Sequence, residues 1–212
     1  NNSSSSNNND DKGVNGVSRG GSTVETRLRD RRLRILDVGA IDNQYLDFTW
    51  FDAVPIDLNA QHPSVRAIDF FDFAQEHMLQ QPRQQPFDAI VQSLVLNFQG
   101  DPRRRGDMLA LAADPRMLAT NGLLFVALPS ASLENSRYCT VEHFVGIAGT
   151  LGLRALEIKK SAKLILLTFT AERRHLHARA PRFVYDTATR AFDYPTEVGR
   201  KEVHPGKTRN NF

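Results

Sequence analysis

The stretch Leu33-Arg34-Ile35-Leu36-Asp37-Val38-Gly39-Ala40 runs an apolar segment into a glycine, and its reading decides the fold. Aliphatic residues dominate 33–38 and a glycine follows at once. This is the pattern of a buried parallel strand that turns sharply and lets backbone approach a ligand. Working outward, short aliphatic runs alternate with helix-length segments, as in successive βα units. Strands are expected at 33–38, 53–57, 65–68, 87–96, 123–128, 155–159 and 164–170, and helices at 43–48, 71–80, 103–118 and 141–151. Asp101-Pro102 reads as an N-cap with proline in the first helical position, and Asn121-Gly122 as a helix exit. The last two strands are separated by only residues 160–163, too few for a parallel crossover, so they form an antiparallel hairpin.

The expected fold is therefore α/β, with a seven-stranded, mostly parallel Rossmann-like sheet, helices on both faces and a C-terminal antiparallel hairpin. That closing hairpin belongs to class I methyltransferases, whereas nicotinamide-binding Rossmann domains close with a further parallel strand. The chain of 212 residues is long enough for one well-buried domain with appendages. With 41% hydrophobic and 24% charged residues its composition is that of a water-soluble domain, and no apolar run approaches the roughly 20 residues of a membrane helix, so no membrane role is expected. One cysteine, Cys139, cannot form an internal disulfide, and no secretory signal is present, so an intracellular setting is expected. Residues 1–26 read as a disordered Asn/Ser-rich linker, 27–185 as the catalytic domain and 186–212 as a polar, basic extension. Residues 171–212 carry nine Arg and Lys against five Asp and Glu, so the excess positive charge is concentrated in the tail. That imbalance fits a polyanionic partner or a solubilising surface.

Two nucleotide-type cofactors use a glycine turn after the first strand with an acid at the end of the second. Asp57 stands eighteen residues after Gly39, in reach of ribose hydroxyls. The segment Gly39-Ala40-Ile41-Asp42-Asn43-Gln44 lacks the later glycines that admit a pyrophosphate, and Asp37 and Asp42 would repel one. Both features favour S-adenosylmethionine, whose ammonium and sulfonium groups suit an acid, with S-adenosylhomocysteine as product. Asp69 is placed to accept from an adenine amine, and Phe70 either gives the ring an apolar face or backbone N–H or belongs to the core. Ser93 either faces the cofactor or is a satisfied buried serine.

The segments 36–43, Pro55-Ile56-Asp57-Leu58-Asn59, 93–98, 101–109 and Leu133-Glu134-Asn135-Ser136-Arg137-Tyr138 together resemble one family. It comprises the fungal nucleolar methyltransferases that modify N1 of an adenine in large-subunit (25S) ribosomal RNA, and it also includes SAMTOR, the animal S-adenosylmethionine sensor. The resemblance covers roughly residues 33–185. It implies cofactor contact at Gly39 and Asp57, with Asp69, Phe70 and Ser93 completing the adenosine pocket. It further implies a nuclear, nucleolar protein whose partner is large-subunit ribosomal RNA.

Adenine N1 carries an in-plane lone pair and is unprotonated at neutral pH, so methyl transfer needs alignment more than a strong base. Asn97 and Phe98, at the exit of the fourth strand, are the candidate catalytic clamp for a base held flat outside its helix. They do not form the Asp/Asn-Pro-Pro-Tyr/Phe clamp of amino-methylating enzymes. Arg103, Arg104 and Arg105 follow, either as RNA-phosphate contacts continued by Arg173, Arg174, Arg179 and Arg182, or as ion-pair partners of Asp101 and Asp107. No metal site is expected: His175 and His177 lack a Cys or acidic partner at ligand spacing. Cys139 has no histidine base in register apart from the chance neighbour His143, so a nucleophilic thiol is not expected. A monomer is expected. The reading from another class is a non-catalytic S-adenosylmethionine sensor that regulates partner proteins in nutrient signalling; a nicotinamide oxidoreductase is disfavoured by the missing glycines and the hairpin.

Overall fold

The computed structural model describes residues 31–80 and 83–172, together with the backbone of 185–186 and 191–192. Backbone contacts divide the chain into Asn1–Arg31 and Arg32–Phe212, and the architecture below belongs to the second unit. The expected linker at 1–26, most of the extension at 186–212, the tail arginines and His175 and His177 lie outside the described residues.

Seven strands form one sheet: β1 (Leu33–Val38), β2 (Phe51–Asp57), β3 (Arg66–Ala67), β4 (Phe87–Ser93), β5 (Leu118–Pro129), β6 (Leu153–Lys160) and β7 (Leu164–Ala171). Their spatial order is β3-β2-β1-β4-β5-β7-β6. Strands β1 to β5 pair in parallel, and β7 enters antiparallel between β5 and β6. This is the expected class I methyltransferase order, and the hairpin closes because Ser161 N–H donates to Leu164 O at 2.8 Å. A separate pair, β8 (Tyr185–Asp186) and β9 (Ala191–Phe192), is also antiparallel.

Among the described residues four α-helices accompany the sheet: α1 (Phe70–Leu79), α2 (Pro102–Ala113), α3 (Ser130–Glu134) and α4 (Val141–Thr150). Leu36, Val38, Ile56, Ile90, Leu124, Val126, Leu128, Ile165, Leu167 and Phe169 alternate along the strands onto one face. Side chains from all four helices join them in a single core. On the opposite face Phe125 and Leu166 remain 38% and 44% exposed. The sheet and its helices make the expected α/β arrangement. The expected helix at 43–48 is a run of turns, because Asn43 Oδ1 accepts from Tyr45 N–H and Asn43 N–H is pinned to Ser64 Oγ at 3.1 Å.

Other boundaries move for local reasons. Strand β4 stops at Ser93 rather than 96, since Leu94 takes φ 60° and Leu96–Phe98 coil into a 3-10 turn. Helix α2 stops at Ala113 rather than 118, where Asp114 precedes proline and takes ψ 133°. Its start matches expectation, with Asp101 Oδ1 accepting from Arg103 N–H at 2.9 Å. Asn121-Gly122, expected as a helix exit, lies inside β5. Asn121 has φ 62°, and a Cβ on Gly122 would stand 2.8 Å from Ala119 O. The pair makes the irregularity across which the β4–β5 register shifts.

Candidate functional site at the carboxyl ends of the strands

The main chain assembles this rim. Gly39, at φ +80°, ends β1 in a conformation that disfavours any side chain. Its N–H and that of Ala40 both donate to Ile56 O, at 2.8 and 3.1 Å, so the turn is stapled to β2 immediately before Asp57. A Cβ on Gly39 would lie 3.0 Å from Val95 Cγ1 and 3.7 Å from Ser93 O, so the exit of β4 crosses directly over the turn. Ile68 N–H donates to Asp57 O at 2.9 Å, which brings Asp69 beside Asp57. Gly39, Asp57, Asp69 and Ser93 therefore converge at the strand ends.

Each side chain has a definite environment. Asp57 Oδ1 accepts from Asn59 N–H at 2.7 Å, forming an Asx turn that fixes the carboxylate at the end of β2. Asp69 is the N-cap of α1, its Oδ1 accepting from Phe71 N–H at 2.8 Å. The Phe70 ring is only 4% exposed and packs edge-on to Phe71 at 5.9 Å. An apolar face for a ligand at Phe70 is corrected accordingly: the ring belongs to the core, and the backbone N–H at the helix start is what Phe70 can offer. Ser93 is exposed rather than a satisfied buried serine.

Asp37 is 3% exposed at the end of β1. Burial pushes its carboxyl above the ordinary range, the Gln44 amide at 3.4 Å opposes that, and Asp42 adds to the rise. Tyr45 lies close by, its phenol raised by burial and by the Asp37 charge. The helical spacing of 43–48 hides Gln44 and Tyr45 from a reading of the sequence; the Asp42-Asn43 pair, a common turn former, is the signal that points to them.

On the β4 side Asn97 is half-buried with Oδ1 shielded and unpaired, and Phe98 is 80% exposed. Such a ring at a strand exit offers a stacking platform. The three arginines differ from one another. Arg104 stacks its guanidinium 4.2 Å above the Phe71 ring, and Arg105 Nε donates to Gln99 O at 2.6 Å. Arg103 and Arg104 are exposed, while Arg105 is half-buried. Asp107, shielded from water with Oδ1 unpaired, has its carboxyl pushed up to about 6 by burial, against the pull of Arg104 and with a smaller push from Asp101. Arg104 and Arg105 thus each make an intramolecular contact.

Cys139 is buried, and burial pushes its thiol up to about 11, which removes it as a nucleophile. Among the described residues no group of three metal-ligand side chains gathers, and no helix is long and apolar enough to cross a membrane.

The donor set fits a cationic adenosyl cofactor. Acids stand at the ends of β1, β2 and β3, and the Gly39 cradle, which a Cβ would fill, leaves backbone open between them. A solved structure of similar fold is a putative S-adenosylmethionine-dependent methyltransferase from Listeria monocytogenes, with a TM-score of 0.52 at 11% identity, covering 68% of this chain and 92% of that one. Among curated proteins, the Saccharomyces cerevisiae 25S rRNA (adenine(2142)-N(1))-methyltransferase is 35% identical over 113 residues, 53% of this chain and 32% of that protein. The Xenopus tropicalis S-adenosylmethionine sensor upstream of mTORC1 is 26% identical over 156 residues, 65% of this chain and 38% of that protein. The chain thus matches about a third of the length of these relatives. The family described as 25S rRNA (adenine(2142)-N(1))-methyltransferase, Bmt2, matches residues 13–212, and the chain belongs to that family.

Proposed function

We propose that this chain binds S-adenosylmethionine and transfers its methyl group to N1 of an adenine in large-subunit ribosomal RNA. The observation that carries the reading is the convergence of Gly39, Asp57, Asp69 and Ser93 at the strand ends beside an exposed Phe98, within a chain of this family. Bound S-adenosylmethionine supplies an electrophilic methyl on sulfur. Asp57 accepts from the ribose hydroxyls, and Asp69 with the Phe70 backbone N–H brackets the adenine edge. Gly39 and Ser93 line the path between them, and Asp37 lies toward the ammonium end.

On the substrate side, Phe98 stacks the extruded base and Asn97 holds its edge, so that N1 faces the methyl. The N1 lone pair would form the new N–C bond as the sulfur–methyl bond breaks and S-adenosylhomocysteine leaves, and the methylated ring would carry the positive charge that the sulfonium gives up. No strong base is required, and the rate comes from alignment in a partly dry site. Arg103, Arg104 and Arg105 follow the same strand exit, where guanidinium groups can meet phosphates flanking the base. Residues 27–185 form the methyltransferase domain, 1–26 a linker and 186–212 a basic extension. The protein works as a monomer in the nucleolus, where its RNA substrate is made.

The test is to incubate the protein with labelled S-adenosylmethionine and large-subunit RNA, then map the modified base. Label at adenine N1 is expected. Cofactor binding without transfer would overturn the enzyme reading in favour of a sensor, the reading supported by the similarity to the Xenopus protein.

A further inference from the structure

The loop after Gly39 is pinned at both ends. Gly39 and Ala40 are held by Ile56 O, and Asn43 N–H is held by Ser64 Oγ. Asn43 Oδ1 in turn accepts from Tyr45 N–H at 3.2 Å, and Asn43 O accepts from Leu46 N–H at 3.3 Å. A segment so tied has little freedom in where it presents Gln44. The Gln44 side chain, itself exposed, turns inward and donates from Nε2 to Asp37 Oδ2. This bond is long, at 3.4 Å, and it reaches a carboxylate that is otherwise almost fully enclosed. An enclosed carboxylate held by one weak neutral donor is poorly compensated, and a cation brought to it replaces that donor with a stronger partner.

We propose that Gln44 is a positioning residue of the cofactor site: it holds Asp37 ionised and aimed at the strand end, where the ammonium group of S-adenosylmethionine shares or takes over its bond. The inference rests on the cofactor reading above. The titratable groups facing Asp37 are Asp42 and Tyr45; Asp42 opposes ionisation, and Gln44 favours it. Cofactor affinity therefore falls on acidification as Asp37 takes up a proton, and removing Gln44 moves that fall to higher pH. The linkage sign follows from the raised acid: the ionised, binding-competent form is present above its folded pKa and is lost below it.

The test is calorimetric titration of S-adenosylmethionine into the wild type, Gln44→Leu and Gln44→Glu across a pH series from about 5 to 8, with melting temperatures in parallel. For Gln44→Leu the midpoint of the affinity loss moves to higher pH, with affinity near pH 8 reduced about threefold to tenfold, in line with one hydrogen bond to a charged group. For Gln44→Glu, which sets a second carboxylate against Asp37, the midpoint moves further in the same direction. A residue that only braces the loop would lower the melting temperature and leave the pH midpoint unmoved, and that result overturns the proposal. If the wild type binds with its pH profile shared by both variants, Gln44 loses its role while the cofactor reading stands. If the wild type fails to bind, both fall.

Discussion

The two halves of the strand-end rim are built from different materials. Around β1, β2 and β3 the main chain does the work: Gly39 and Ala40 bond to Ile56 O, Ile68 to Asp57 O, and Asp57 and Asp69 each accept a local backbone N–H. Beyond β4 the display is of side chains, with Phe98 80% exposed and Arg103 and Arg104 at the surface. The difference teaches how the work is divided. Under the proposed function, a small cofactor needs acceptors already aligned, so that binding costs little reorganisation, whereas a large RNA would complete its own site by covering an exposed ring and drying it.

The sharpest way to break this comparison is at Asp57. On the proposed reading Asp57→Ala removes the charged acceptor for the ribose hydroxyls, an interaction of about 1.5–3 kcal/mol, so cofactor affinity is expected to fall roughly tenfold to a hundredfold by calorimetry. Wild-type affinity in that variant would mean that the cofactor half lies elsewhere. Gly39→Val follows. It forces a β-branched residue into the φ +80° region at about 1–2 kcal/mol and drives its Cβ to 3.0 Å from Val95 Cγ1. Both the melting temperature and cofactor affinity drop, and Gly39→Ala does the same to a smaller degree. A melting temperature equal to wild type would show that the turn relaxes without cost.

The backbone of the β1–β3 side was the legible part, for a physical reason. A strand that ends in glycine and a strand that ends in aspartate are local patterns, and topology brings them together, so β1, Asp57 and the β6–β7 hairpin all follow from short-range sequence. What misled were segments decided by distant partners. The 43–48 stretch carries apolar residues at helical spacing, yet its geometry is set by Asn43 reaching Ser64, twenty-one residues away. Asn121-Gly122 has the chemistry of a helix exit, but its place inside β5 depends on pairing with β4. Phe70 was legible as a residue of interest, although its ring is decided by packing against Phe71 and the core. The roles of the arginines divided in the same way, since stacking of Arg104 on Phe71 is a contact between two helices.

On the substrate half the expected effects are smaller and fall on RNA. Phe98→Ala loses a stacking platform whose removal costs about 1 kcal/mol, the low end for one base because the ring begins so exposed. In single-turnover assays on RNA the transfer efficiency falls about fivefold while calorimetric affinity for the cofactor stays at the wild-type value. A matched loss of cofactor affinity would merge the two halves and remove the distinction.

The finest test lies under the substrate half, at Asp107. Its carboxyl titrates at about 6, against an ordinary value of 3.8, because burial outweighs the attraction of Arg104. The sign is that of an acid raised by folding. Below about pH 4 the group is protonated in both the folded and unfolded chain and its ionisation contributes nothing. Between about 4 and 6 the folded state holds a proton that the unfolded state releases, so stability declines as pH rises through that window and stays lower above it. Asp107→Asn removes the charge and keeps the shape. It should therefore raise the melting temperature at pH 8, by more than any change it makes at pH 4. Equal shifts at the two pH values would show that Arg104 fully compensates the buried charge, leaving the substrate half as settled electrostatically as the cofactor half.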